Sequence, residues 1–233
     1  MKVQAVVVDV EGTTTAVDFV HRTLFSIARR DLPAFVAAHF GDPAYKGEMA
    51  MARLEAALHF GVPTAKVTAA EATAVLVRMV DEDRKDTALK SLQGELWRDA
   101  FARGGLRAHV YPDVRPAFAR WKARGIKLYV FSSGSVAAQK LVFGHSVDGD
   151  LEVLIDGHFD TTTGEKRSPD SYRAIAAAIA RPPGVTLFLS DSPEELDAAA
   201  AAGMTTCQLL RDGQPPPAQP RHATARSFDE VLI

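Results

Sequence analysis

With 233 residues, 47% hydrophobic and 24% charged, the chain has the composition of a folded globular protein, long enough for one large domain or a core with an insertion. Its 27 lysines and arginines are scattered and balanced by 29 acids, for a net charge of -2, so there is no basic stripe and no nucleic-acid partner is expected. The one cysteine, Cys207, excludes an internal disulfide, and no apolar run is long enough for a signal-peptide core or a bilayer span, so the expectation is a cytoplasmic protein with no membrane partner.

In chain order, VQAVVVDV at 3–10 is a nearly continuous valine-rich run, the pattern of a parallel strand covered on both faces. Residues 16–105 then change character: alanine-rich, leucine-spaced stretches such as EMAMARLEAALHFG (48–61) and KSLQGELWRDAFARGG (90–105) predict helices with hardly a strand between them. IKLYVFSS (126–133) and VTLFLSDS (185–192) repeat the strand pattern and end abruptly in small polar or acidic residues. Each follows a glycine expected to stop a helix, in WKARG (121–125) and RPPG (181–184).

SVAAQKLVFG (135–144) and SPEELDAAAAAGM (192–204) read as the following helices, the latter with Ser192 as its capping residue, and TTCQLL (205–210) as one more strand. RDGQPPPAQPR (211–221) reads as a proline-rich loop, and SFDEVLI (227–233) as a short closing helix. This alternation predicts an α/β fold with a doubly wound parallel sheet. The core is expected over 1–15 and 106–233, with an all-helical cap domain over 16–105, inserted after the first strand.

Ligands of open α/β sheets bind beyond the carboxyl ends of the strands, and three such ends carry Asp9, Ser132 with Ser133, and Asp191. Singly, each is an ordinary turn former or helix cap. Together they suit phosphoryl transfer, in which a carboxylate nucleophile approaches an anionic phosphoryl group and needs positive charge beside it. Magnesium would supply that charge, held by Asp9, Asp191 and the backbone around Glu11, while Ser132 and Ser133 bind phosphate oxygens and a lysine completes the balance.

These residues resemble the haloacid dehalogenase (HAD) superfamily of aspartyl-phosphate phosphatases, whose first motif is Asp-x-Asp. DVEGTTT (9–15), with glutamate at the second acidic position, resembles more closely the enolase-phosphatase (acireductone synthase) family of methionine salvage. VFSSGSVAAQKLVFGHS (130–146), GHFDTTTGEKRSPDSYRAIA (157–176) and FLSDSPEELDAA (188–199) extend the match through the core, and FVHRTLFSIARRDLPAF (19–35) into the helical segment. The resemblance implies a Rossmann-like, HAD-type core. It makes Asp9 the nucleophile and a metal ligand, Glu11 the acid/base that also offers a carbonyl to the metal, and Asp191 the remaining ligand. It also makes Ser132 and Ser133 the phosphate binders and Lys166 the lysine of the nucleophile and phosphate, in preference to Lys140. Glu195 is a weaker metal candidate that serves equally well as a helix-start acid.

The implied reaction is the magnesium-dependent conversion of 5-(methylthio)-2,3-dioxopentyl phosphate, a small phosphorylated diketone, to the acireductone 1,2-dihydroxy-5-(methylthio)pent-1-en-3-one plus phosphate. One Mg2+ per chain is expected; a monomer is compatible with this pattern. The phosphate-releasing stage has the stronger support in the residues, and the enolisation base is not assigned. Two alternatives stand: another HAD-type small-molecule phosphatase or phosphomutase, since the core motifs specify chemistry more than substrate, and a phosphoacceptor signalling domain, whose phosphorylated aspartate normally follows a later strand. His158 reads as a structural histidine beside a turn, and Phe19, His21 and Phe25 as aromatics able to reach a pocket or pack in a core.

Overall fold

All four side chains of the first strand, β1 (Ala5–Val8), are fully buried. Val6 and Val8 pack into one apolar cluster and Ala5 and Val7 into another, so the valine run reflects a strand with both faces covered. We describe the protein from a computed structural model. It describes residues 3–211 and 213–233; the predicted core boundary at residue 1 and position 212 of the predicted proline-rich loop lie outside the described residues.

The chain divides into two compact units, one comprising residues up to Phe19 together with Arg107–Ile233, the other Val20–Leu106. In the first unit β1 is followed by one short turn of helix, α1 (Val17–Phe19). The helical unit opens with a π-helical turn at Val20–Leu24 and continues through α2 (Phe25–His39), α3 (Lys46–Phe60), α4 (Ala69–Asp81) and α5 (Thr87–Ala102). Its helix starts are locally encoded. Thr68 and Glu71 form a reciprocal capping box on α4, and Asp86 accepts the Ala88 and Leu89 N–H groups at the start of α5. Its core contains Ala28, Leu32, Val36, Leu76, Met79, Leu89 and Leu92, all fully buried.

The first unit resumes with α6 (Val114–Ala123), β2 (Lys127–Phe131), α7 (Val136–Gly144), β3 (Gly157–Phe159), α8 (Pro169–Ala178), β4 (Thr186–Ser190), α9 (Pro193–Ala201), β5 (Thr205–Leu209) and β6 (Ala223–Ala225). The six strands form one sheet in the order β3-β2-β1-β4-β5-β6, every neighbouring pair parallel. From β1 the chain runs outward through β2 and β3, then crosses to begin again at β4 on the other side of β1. The strand order therefore reverses between β1 and β4, the switch point at which doubly wound sheets bind ligands.

Several local expectations need correction. Gly125, with φ +75°, does end the α6 turn, but Gly184 stops no helix: α8 ends at Ala178, Ala180 takes the left-handed conformation at φ 53°, and Pro183–Val185 is a 3-10 turn. Ser192 occupies the N-cap of α9 without a side-chain cap bond; its hydroxyl instead donates to Glu194 at 3.1 Å. SFDEVLI is not helical. Seven residues are too few to nucleate a helix unaided, and carboxylates take the backbone donors: Phe228 N–H donates to Asp113 and Arg226 N–H to Glu230. Phe228 itself is buried against Phe118 and Trp121. The short strands β3 and β6 carry no apolar run of their own.

Candidate active site

Parallel pairing sets the site. Val8 pairs with Val130 and Leu189, so the residues that follow, Asp9, Ser132 and Asp191, emerge at the same end of three adjacent strands. Asp9 N–H still donates to Leu189 O at 2.9 Å, which holds the first carboxylate to the sheet. Beyond it the chain turns on a single acceptor: Val10 O receives the N–H groups of Thr13, Thr14 and Thr15 at 3.3, 2.9 and 3.0 Å. Gly12 sits in this turn at φ +69°, and a Cβ there would collide with the Asp191 carboxylate. Only glycine serves both the left-handed backbone and that approach.

The threonines of EGTTT are all fully buried, and each holds a different neighbour. Thr13 Oγ1 accepts the Asp191 N–H at 3.0 Å, Thr14 Oγ1 donates to Asp9 O and Val10 O, and Thr15 Oγ1 donates to His109 O at 2.6 Å. His109 Nδ1 accepts the Ala16 N–H at 3.1 Å. From the far side, Arg211 Nε donates to Thr13 O at 3.0 Å and its Nη1 to Asp113 at 2.9 Å, with the guanidinium over the rings of Tyr111 and Phe228. Sequence reasoning missed the tasks of Thr13, His109 and Arg211. A triple threonine behind two acids was the available signal for the first; the others come from distant segments without a motif.

Asp9, 4% exposed, is a buried acid with a built counter-charge. Lys166 Nζ lies 2.6 Å from Asp9 Oδ1 and 2.7 Å from Glu195 Oε2, and Tyr172 donates its hydroxyl to Lys166 O at 2.6 Å. Burial alone would lower the Lys166 ammonium, but Asp9 and Glu195 together hold it above the ordinary lysine value. Burial and the Asp9 charge push Asp191 up to about 6, against the pull of Lys166. The same two causes push Glu195 up to about 7, against Lys166 and Ser190, whose hydroxyl donates to it at 3.0 Å. One ammonium thus serves two acids while a third crowds them.

Ser132 is 4% exposed, with its Oγ accepting the Gly134 N–H at 3.1 Å and its own N–H donating to Phe159 O at 3.2 Å. Asp160 Oδ2 accepts the Val136 N–H, tying GHFD to the start of α7. A cavity of about 200 Å3 is lined by Asp9, Glu11, Val17, Ser132, Ser133, Lys166, Asp191 and Glu195. It gathers every sequence-predicted site residue, including the weaker candidate Glu195, which is engaged by Lys166 and Ser190. Lys140 is exposed on α7. Phe19 does not line this cavity, and within the helical unit His21 and Phe25 stack edge to face at 5.1 Å.

Among the described residues no group of three or more His, Cys, Asp or Glu side chains gathers as a metal cluster. The oxygen donors lining the cavity are carboxylates, those of Asp9, Glu11 and Asp191, with Glu195 engaged by Lys166 and Ser190. An all-oxygen set of that size suits a hard cation that keeps several waters, and a cation would relieve the crowding that raises Asp191. The space left open by Gly12 is where the Asp191 carboxylate sits. The residues therefore fit a divalent ion of the magnesium type and lack the nitrogen or sulfur donors of a zinc site.

A carboxylate, a lysine and an acid at a switch point are a general phosphoryl-handling arrangement, and comparison with known proteins makes it particular. Residues 3–203 match the model of the haloacid dehalogenase-like hydrolases. The chain is 54% identical to Enolase-phosphatase E1 of Sorangium cellulosum over 228 residues, covering 98% of this chain and 97% of that one. It is 47% identical to Enolase-phosphatase E1 of Pseudomonas aeruginosa over 233 residues, the whole of both. The solved UTR4 protein of Saccharomyces cerevisiae superposes with a TM-score of 0.80 at 32% identity, covering 99% of this chain and all of that one. Shared along their full lengths at these identities, the sequence places this chain in the enolase-phosphatase E1 family of haloacid dehalogenase-like hydrolases.

Proposed function

We infer that this protein is the enolase-phosphatase (acireductone synthase) of L-methionine salvage, converting 5-(methylthio)-2,3-dioxopentyl phosphate to the acireductone and phosphate. The observation that carries the chemistry is Asp9, a buried carboxylate 2.6 Å from Lys166 and beside Asp191 in one cavity, in a chain matched end to end by enolase-phosphatases. The family implies a divalent metal. Our assignment is one magnesium ion per chain, held by Asp9, Asp191 and the Glu11 carbonyl, which supplies positive charge against the phosphoryl oxygens when bound.

The chain's own groups then divide the work. Ser132 and Ser133 bind phosphate oxygens; Ser132 Oγ already accepts from Gly134, which leaves its O–H as a donor. Lys166 offsets the charge of Asp9 and of the incoming phosphate. Asp9 attacks phosphorus: its oxygen–phosphorus bond forms as the ester phosphorus–oxygen bond breaks, and Glu11 gives its proton to the departing oxygen. Glu11, now a carboxylate, takes a proton from water, whose oxygen attacks phosphorus and releases Asp9 and phosphate. Glu195 steadies Lys166. We propose further that residues 16–105 form the cap domain and residues 1–15 with 106–233 the catalytic core, since the chain leaves the core after EGTTT and returns to it before β2.

The test supplies the diketone phosphate with and without magnesium while following the ultraviolet absorbance of the enol and the release of phosphate. Both signals should appear with the metal, vanish on chelation and return on its addition. Phosphate release with no enol signal would reduce the protein to a general phosphatase; no release from this substrate by an enzyme active on simple aryl phosphates would overturn the substrate assignment.

A further inference from the structure

Behind the Ser132–Ser133–Gly134 loop lies a buried polar chain that the reaction above does not use. Gln139 on α7 is 2% exposed, and its Nε2 donates to two main-chain carbonyls, Gly134 O at 2.9 Å and Phe159 O at 2.8 Å. The first belongs to the loop. The second also receives the N–H of Ser132. One amide therefore ties the outgoing end of the loop to the end of β3, against which its incoming end is already hydrogen-bonded.

The orientation of this amide follows from its partners. Both carbonyls can only accept, so the nitrogen of Gln139 must face them and its Oε1 must face His158 Nδ1, 2.9 Å away. His158 Nδ1 is therefore the donor. Its Nε2 lies 2.8 Å from Glu152 Oε1, and the His158 side chain is 4% exposed. With Nδ1–H given to Gln139, this second contact is a hydrogen bond only with a proton between Nε2 and Glu152, whose Oε2 is buried without a partner among the described residues. The result is a directed chain from Glu152 through the imidazole and the amide to the loop.

We propose that Gln139 is a positioning residue for substrate phosphate, and that His158 holds its amide in register through Nδ1–H. The proposal rests on the assignment of the Ser132–Ser133 loop as the phosphate site. Positioning errors of about 1 Å at a reacting centre can cost about 100-fold in rate, so a loop freed from its amide clamp should bind and align phosphate measurably worse.

The test measures KM for the diketone phosphate, the inhibition constant of inorganic phosphate, kcat and the melting temperature for five variants of the magnesium-loaded enzyme. Gln139→Met keeps the length and removes both donors; it should raise KM and the phosphate inhibition constant together, by roughly tenfold or more. His158 is tested by a crossed pair. Asparagine places an N–H where Nδ1 is, glutamine where Nε2 is, so His158→Asn should keep a near-normal KM and His158→Gln should follow Gln139→Met. Glu152→Gln, which cannot reach the loop itself, should shift KM less than His158→Gln.

Lower melting temperatures with KM and phosphate inhibition unchanged, or equal KM shifts in the two His158 variants, would overturn the proposal. If Gln139→Met fails to fold, the His158 pair alone decides. Ser133→Ala separates this idea from the one beneath it. If that variant leaves KM and phosphate inhibition unchanged, the loop is not the phosphate site and both fail; if it raises them while Gln139→Met does not, positioning alone fails.

Discussion

The two units bury different things. In the helical unit the core is alanine, leucine, valine and methionine, and among the described residues Gln93 is its one buried polar side chain. In the α/β unit Asp9, Thr13, Thr14, Thr15, Ser132, Gln139, Ser190 and Arg211 are all buried. Several of these hold the first carboxylate, the turn after it or the loop after β2. Buried polar groups cost stability unless paired, whereas buried methylenes contribute it. The α/β unit accepts that cost where charge must be held in fixed positions, and the helical unit avoids it where packing suffices. Substitutions should therefore separate: polar ones in the α/β unit should disturb chemistry before stability, and apolar ones in the helical unit the reverse.

The largest break should come at Asp9. Asp9→Asn removes the proposed nucleophile, and phosphate release should fall by at least roughly 10,000-fold. The fold should survive, because Lys166 keeps Glu195 at 2.7 Å as its counter-charge. Turnover at the normal rate would refute the assignment, and loss of the native circular dichroism spectrum would refute the separation. Glu11→Gln should be milder, about 100- to 10,000-fold. Because it impairs the water step as well as the leaving group, rapid quenching should trap phosphate on Asp9; no phosphoenzyme at any time would remove Glu11 from hydrolysis.

Leu32, fully buried in the helical core, provides the opposite case. Leu32→Ala should cost about 2–5 kcal/mol in urea unfolding through the cavity it leaves, with phosphate release per folded molecule nearly unchanged. A proportionate loss of kcat at full folding would show that the two units do not divide stability from chemistry as their cores suggest. Thr13→Val keeps the shape and deletes the acceptor for the Asp191 N–H. It should cost about 1–3 kcal/mol for the stranded donor and weaken binding of the proposed magnesium ion by about 10- to 100-fold, read by calorimetric titration.

How much of this was legible in the sequence depends on whether a residue's task is local. The apolar runs of β1, β2, β4 and β5 announced themselves because strands buried on both faces need them, and their acidic or serine ends carried the site. β3 and β6 did not, since Gly157–Phe159 and Ala223–Ala225 are strands only through the pairing offered by β2 and β5. The SFDEVLI segment, expected as a short closing helix, instead buries Phe228 in the core while carboxylates take the backbone donors of Arg226 and Phe228. Glu195 illustrates a different limit. Four residues past Asp191 it reads as a spare metal ligand or a helix-start acid, and only the fold shows it sharing Lys166 with Asp9.

The smallest effect tests whether a polar cluster away from the site behaves as structure alone. Asp156 accepts from Lys122 Nζ, Lys127 Nζ and the Leu128 N–H, each at 2.9 Å. Burial by itself would raise this carboxyl, but the Leu128 N–H and the two lysines more than offset it and hold it below the ordinary aspartate value of 3.8. A carboxyl depressed in the folded state binds fewer protons there than in the unfolded chain. Its contribution is therefore complete above about pH 4 and is lost as pH falls through the folded value. Lys127 is half exposed, so solvent screening keeps the contribution to about 1 kcal/mol or less. Asp156→Asn should thus unfold at lower urea than the parent at pH 7, with the gap narrowing as pH falls below about 4, and leave KM and kcat unchanged; a gap that does not narrow on acidification would mean that packing of the side chain, rather than its charge, is what Asp156 contributes.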